Sequence, residues 1–203
     1  FTMVVGAVLA IVQDDLKRLH AYSSVSQVGY IAVALGLGPP LGTYAAVFFL
    51  VSHALTKGLL FLATGAVVFA TQGMRSITTL GGLKRRMPVT AACALVGALS
   101  LAGMPPFSGF LAKAQVILAA AEARSWTAMG IATAMGFFTM AYMISMVQRV
   151  FHGRSRSSEL VLEEVREVPA SMRWAMGLLV AAILVLGVRP QVLDPLFDLV
   201  ARM

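Results

Sequence analysis

Two lysines lie where a lysine is costly, and they are the residues of this sequence best suited to chemistry. Lys57 ends the run Ser52-His53-Ala54-Leu55-Thr56-Lys57, with apolar residues over 47–51 before it and 59–62 after it. A lysine at the centre of a bilayer costs about 2.5–3.5 kcal/mol on insertion scales, so it faces a bundle interior or a hydrated path. Lysines near a helix end snorkel out to water instead. Lys57 is about three turns from either end of its apolar run, which makes that escape awkward. His53 and Lys57 are four residues apart and share a helix face, with Ser52 and Thr56 on the adjoining stripe. Removing an ammonium from water favours the neutral amine, so a buried lysine can release and regain a proton, and histidine titrates near neutrality by nature. The pair reads as a protonatable relay.

The second lysine, Lys113, closes Leu99-Ser-Leu-Ala-Gly103-Met-Pro105-Pro106-Phe-Ser108-Gly109-Phe-Leu-Ala-Lys113. Pro105 and Pro106 supply no backbone donor and clash with the turn before them, while Gly103 and Gly109 loosen the backbone on either side. An unwound stretch at membrane depth is tolerated only inside protein or beside water, and discontinuous helices of this kind build ion sites in transporters. The plain alternative is a proline kink. A polar stripe, Tyr22, Ser23, Ser26, Gln27 and Tyr30, falls at three- and four-residue spacings. Such residues either glue helices together or hold water beside the two lysines.

The elements that must carry these residues are membrane spans. Of 203 residues, 59% are hydrophobic and 12% charged, against about 45–50% and 25% in soluble domains; mean hydropathy is +0.84. A spanning helix needs about 20 apolar residues. Apolar segments run over 1–12, 21–38, 43–70, 89–120, 126–151 and 170–188. The fourth is long for one span and is expected to break near 103–109. The fold class expected is an all-α, polytopic integral membrane protein forming a single transmembrane domain. The first segment is short for a span and opens on Phe, which reads as the tail of a longer helix and the chain as the C-terminal portion of a longer subunit. Between 153 and 169 the charges Arg154, Arg156, Glu159, Glu163, Glu164, Arg166 and Glu167 mix with Leu160, Val161, Val165 and Val168. This loop is expected to be a solvated linker or a short surface helix that meets a partner subunit.

The net charge is +7, and its distribution sets orientation rather than nucleic-acid binding. Lys17, Arg18, Arg75, Lys84, Arg85, Arg86, Arg149, Arg154, Arg156 and Arg166 fall after the first, third and fifth segments. Only Arg124, Arg189 and Arg202 fall on the other side. The positive-inside rule assigns the first set to the cytoplasm, in a bacterial or archaeal inner membrane. Asp14 and Asp15, like Arg149 and His152, read as interfacial groups. The single cysteine, Cys93, reads as a small core residue without a disulfide partner. No metal-ligand spacing, Walker loop or dinucleotide fingerprint is present, so no cofactor or metal is expected in this chain.

The same residues resemble a known family. The stretch Gln13-Asp-Asp-Leu-Lys-Arg-Leu-His20-Ala-Tyr-Ser-Ser-Val-Ser-Gln-Val-Gly-Tyr30 resembles the QxDLKRLLAYSSxSQxGY signature of antiporter-like proton-translocating subunits. These occur in NADH:quinone oxidoreductase (respiratory complex I), multi-subunit cation/proton antiporters and membrane-bound hydrogenases. Ser52-His-Ala-Leu-Thr-Lys-Gly-Leu-Leu-Phe-Leu62 is similar to their HALFKALLFL helix, Gly81-Gly-Leu-Lys-Arg-Arg-Met-Pro88 to their GGLxRRMP loop, and 99–113 to SLAGxPPxxGFxxK. The resemblance implies the second inverted repeat of a 14-helix subunit, with the 89–120 segment as its discontinuous helix. It implies His53, Lys57 and Lys113 on a hydrophilic proton axis, supported by Ser23, Ser26, Gln27, Tyr30, Ser52, Thr56 and Ser108. It also implies partners: the bilayer, other membrane subunits including an N-terminal half, and flavin or iron–sulfur redox subunits in a complex I-like assembly. Lysine at 113 argues mildly against the branch that uses glutamate there. The expected function is proton translocation driven by partner redox subunits, with no redox chemistry in this chain. The alternatives are a non-conducting scaffold and a sodium/proton antiporter subunit.

Overall fold

The computed structural model describes residues 1–153 and 165–201. The described residues are helical with irregular connections: α1 (Thr2–Ile11), α2 (Leu16–Gly36), α3 (Leu41–Ala70), α4 (Pro88–Ala102), α5 (Ser108–Glu122), α6 (Trp126–Val147), α7 (Ala170–Val188) and α8 (Asp194–Ala201). Among the described residues, three stretches are by length and composition long and apolar enough to cross a membrane: Leu41–Ala70, Trp126–His152 and Ala170–Val188. Large apolar side chains on the outer surface, among them Phe61, Phe137, Trp174 and Leu178, are exposed, as they are in a protein whose solvent is lipid. The chain is an integral membrane protein.

α2 starts five residues earlier than its apolar run. Asp15 caps it, its carboxylate accepting from Lys17 N at 2.8 Å and Arg18 N at 3.0 Å, so two orphan donors of the first turn are satisfied. α2 also buries most of its polar stripe, Ser23, Ser26, Gln27 and Tyr30, with Tyr22 half-buried. Hydropathy therefore understates it as a helix. α1 lies on α2 with their backbones close together. A Cβ added to Gly6 would come within 2.5 Å of Ser26 N, and one on Gly29 within 2.6 Å of Met3 N.

The 89–120 segment is two helices. α4 stops at Gly103, whose φ of 85° lies in the left-handed region that glycine adopts without penalty. Gly103 N and Met104 N both reach back to Leu99 O, at 3.1 and 3.0 Å. α5 restarts at Ser108. Both halves pack on α3, which runs through the middle of the bundle, and α7 covers the break so closely that a Cβ on Gly187 would collide with Pro106 O.

The connections after α1, α3 and α6 gather at one end. Leu16 N donates to Arg75 O (3.0 Å) and Ile77 N to Asp14 O (2.7 Å), and the Asp14 carboxylate takes Thr78 N and Oγ1. A single π-helical turn, Gln148–His152, extends α6 to this end, one residue beyond the apolar segment that closes at 151. His152 is exposed there. Of the 153–169 loop, residues 154–164 lie outside those described. Residues 165–169 are irregular, and Glu167 accepts from Val89 N (2.8 Å), Thr90 N (3.3 Å) and Thr90 Oγ1 (2.6 Å). A residue expected in a solvated linker thus closes the N-terminus of α4. Cys93 is buried in α4 and free.

Candidate functional site

Both lysines are buried, Lys57 to 6% exposure and Lys113 to 7%. α3 carries Lys57 against α2. Its Nζ donates to the carbonyl oxygen of His20 (2.8 Å) and to Ser23 Oγ. The Ser23 hydroxyl in turn donates to the same carbonyl at 2.9 Å. The Phe61 ring sits 5.7 Å from Nζ, within cation–π range. Among the described residues the ammonium has oxygen dipoles and a ring for company and no carboxylate.

Lys113 is positioned by the break. In an unbroken helix the carbonyl of Ala102 would accept from the N–H of residue 106, and Pro106 has none. That orphan carbonyl accepts from Lys113 Nζ at 3.3 Å. The Lys113 stem runs along the break, since a Cβ on Gly103 would meet its Cδ at 2.9 Å. Close packing of α5 on α4 brings this about: a Cβ on Gly109 would collide with Ser100 O. The ring of Tyr30 lies 5.4 Å from Nζ. Tyr30 is held by its hydroxyl bond to Ala132 O (2.7 Å) and by stacking on Phe49 (5.3 Å).

His53, one turn before Lys57 on α3, borders the same small cavity as Lys113. A cavity of about 10 Å³ is lined by His53, Lys113, Gln27, Ser52, Thr56 and Ser100, with apolar neighbours. That is close to the room one water needs, with polar partners around it. His53 Nδ1 is buried without a partner among the described residues. Two hydroxyl pairs tie α3 to the broken helix here, Ser52–Ser108 at 2.8 Å and Thr56–Ser100 at 2.9 Å.

The expected supporting residues therefore divide. Ser23 meets Lys57, Tyr30 meets Lys113, and Gln27, Ser52 and Thr56 line the cavity. Ser108 bonds Ser52, which lines it. Ser26 instead donates to Met3 O at 2.8 Å, a bond that joins α2 to α1 and serves packing. Gln27 also donates to Thr139 Oγ1 of α6 at 3.3 Å. The sequence pattern does not single out Ser100, Thr139 or His20 as site residues. Ser100 lies in the proline-containing motif and is one helical turn from the break. Thr139 is one of several scattered hydroxyl residues, Thr127, Thr133, Tyr142 and Ser145 among them, in an otherwise apolar run.

A family model described as NADH:quinone oxidoreductase/Mrp antiporter, transmembrane, matches residues 1–139. The chain belongs to this family. It is 39% identical over 194 residues to the A/B component of a probable K(+)/H(+) antiporter of Rhizobium meliloti (strain 1021), covering 93% of this chain and 19% of that protein. It is 35% identical over 191 residues to NADH-quinone oxidoreductase subunit N of Desulforudis audaxviator (strain MP104C), covering 90% of this chain and 38% of that one. Among solved structures it superposes with a TM-score of 0.87 and 38% identity on a chain of the membrane-bound sulfane sulfur reductase, an archaeal respiratory membrane complex. That match covers 93% of this chain and 31% of the other. The chain thus spans between about a fifth and two fifths of the length of these relatives. Proteins similar to this chain thus include a component of a probable cation/proton antiporter and a subunit of an NADH-quinone oxidoreductase.

Proposed function

We propose that this chain is part of a proton-translocating membrane subunit in a respiratory NADH:quinone oxidoreductase-like complex. Protons move between Lys57 and Lys113 by way of His53, and neighbouring redox subunits with flavin or iron–sulfur centres provide the drive. The observation that carries the reading is the pair of buried lysines, neither facing a carboxylate among the described residues, with His53 one turn from Lys57 on α3 and lining a small cavity together with Lys113. A fixed ion pair would hold a lysine permanently charged. Carbonyl, hydroxyl and ring partners stabilise an ammonium less and allow the neutral amine. Two ammonium groups in one low-dielectric interior disfavour each other, so loading one lysine helps unload its neighbour. The subunit sits in a bacterial or archaeal inner membrane, basic loops to the cytoplasm, among other membrane subunits that include its own N-terminal half.

A second reading is favoured by the 39% identity to a component of a cation/proton antiporter: the same path exchanges protons for a cation, without redox partners. The test uses the complex purified from its own membrane and reconstituted in vesicles with an internal pH dye. Lys57→Ala and Lys113→Ala are each expected to lower proton movement at least about 100-fold while the complex still assembles. Unchanged movement would reduce the chain to a scaffold. Acidification that needs an electron donor supports the redox reading. Acidification that follows an imposed sodium or potassium gradient supports the exchanger.

A further inference from the structure

His20 is fully buried, and neither ring nitrogen has a hydrogen-bond partner among the described residues. It lies just over one turn inside α2, at the end of the bundle where the basic connections gather. Its ring forms part of the wall of a second cavity of about 10 Å³, shared with Leu16, Thr64, Val67, Val150 and Phe151. Val150 and Phe151 belong to the π-helical turn at that end. On its other side His20 meets the lysine site. Its carbonyl takes Lys57 Nζ, and its ring and Lys57 both flank Phe61, the rings 5.6 Å apart. The charged group beside it is Lys57, held by its own carbonyl. Facing residues of α4 and α6, Ala94 and Met146, are apolar. The family signature that 13–30 resembles has leucine at this position.

We propose that His20 is a proton relay that opens a direct entrance to Lys57 from the basic end of the bundle. The inference rests on the transport reading above. A proton arriving from that end adds to one ring nitrogen. The imidazolium then releases a proton from its other nitrogen, and the neutral Lys57 amine takes it up. One proton and one positive charge move inward, no bond to carbon changes, and no electron is transferred. The bifunctional imidazole is what makes this possible, since one nitrogen can accept while the other donates.

The test compares His20→Leu, His20→Gln and Lys57→Ala in the intact complex, reconstituted as above. Glutamine keeps polarity and approximate size but cannot cycle a proton. Both His20 variants are expected to lower the transport rate at least about tenfold. Wild-type rates for His20→Gln with a loss for Lys57→Ala overturn the relay alone. No loss for Lys57→Ala overturns the transport reading beneath it. A measurement on the unmodified complex stands apart from assembly of the variants: deuterium exchange at the imidazole C2–H, read by mass spectrometry, with exposed His152 as internal standard. Exchange of His20 within about tenfold of His152 supports access from water. Protection far beyond that overturns the entrance.

Discussion

Lys57 and Lys113 are held by different means, and the difference assigns them different sensitivities. Lys57 has two strong oxygen acceptors, one the carbonyl of His20 and one the hydroxyl of Ser23. Lys113 has one long bond to an orphan carbonyl and a ring face. A hydrogen bond to a charged group is worth about 1.5–3 kcal/mol. Removing the hydroxyl with Ser23→Ala leaves the Lys57 ammonium one acceptor short. The expected outcome is a fall in proton movement of about tenfold with assembly intact. Ser26→Ala, whose hydroxyl bonds Met3 O, is expected to lower thermal stability by about 1 kcal/mol and leave the rate alone. Equal effects on rate from both substitutions would count against this division. The lysines, and His53 beside them, are legible from the sequence because a charge within an apolar run has few places to go. His20 is not: it falls one residue before the apolar stretch that starts at 21, close to Lys17 and Arg18, and looks like part of a polar boundary. The Asp15 cap moves that boundary and puts His20 inside the bundle.

At the scale of elements, the break in the 89–120 segment is where sequence and structure agree most closely, because proline chemistry acts locally. The sequence alone does not tell which helices close around it. Gly109 against Ser100 O and Gly187 against Pro106 O are close approaches between separate helices or between a helix and the break, and no local pattern marks them. They make a graded prediction. Gly109→Ala places a methyl where backbone oxygen already sits and must push α5 off α4. We expect a loss of at least about 2–3 kcal/mol, seen as a lower melting temperature of the complex. It also moves Lys113 away from Ala102 O and so lowers transport. Gly103→Ala meets only the flexible Lys113 stem. Its cost is that of a left-handed residue, about 1–2 kcal/mol. A variant order with Gly103→Ala the more damaging would show that the turn, rather than the α4–α5 contact, governs this site.

At the scale of the whole molecule, charge and depth are arranged along one axis. The basic connections converge through backbone and side-chain bonds: Asp14 to Thr78, Leu16 N to Arg75 O, and a long Arg75–Asp15 ion pair of 3.9 Å. Exposed pairs of that length contribute little, so the convergence depends on the hydrogen bonds and on the buried Leu80 and Leu83 beneath them. Arg124 and Arg189 lie in the connections at the opposite ends of α5 and α7. If the positive-inside rule governs insertion, Lys84, Arg85 and Arg86 face the cytoplasm, and Arg124 faces away from it. A cysteine replacing each, in a Cys93→Ala background, tests this with a membrane-impermeant maleimide. Arg85→Cys is expected to react only in inverted vesicles and Arg124→Cys only in right-side-out ones. The reverse pattern would turn the bundle over. The entrance proposed at His20 would then open to the far side, and the proposed direction of proton movement would reverse with it. Sidedness thus decides which face of the membrane the proposed entrance at His20 opens to, and with it the direction in which the proposed path would carry protons.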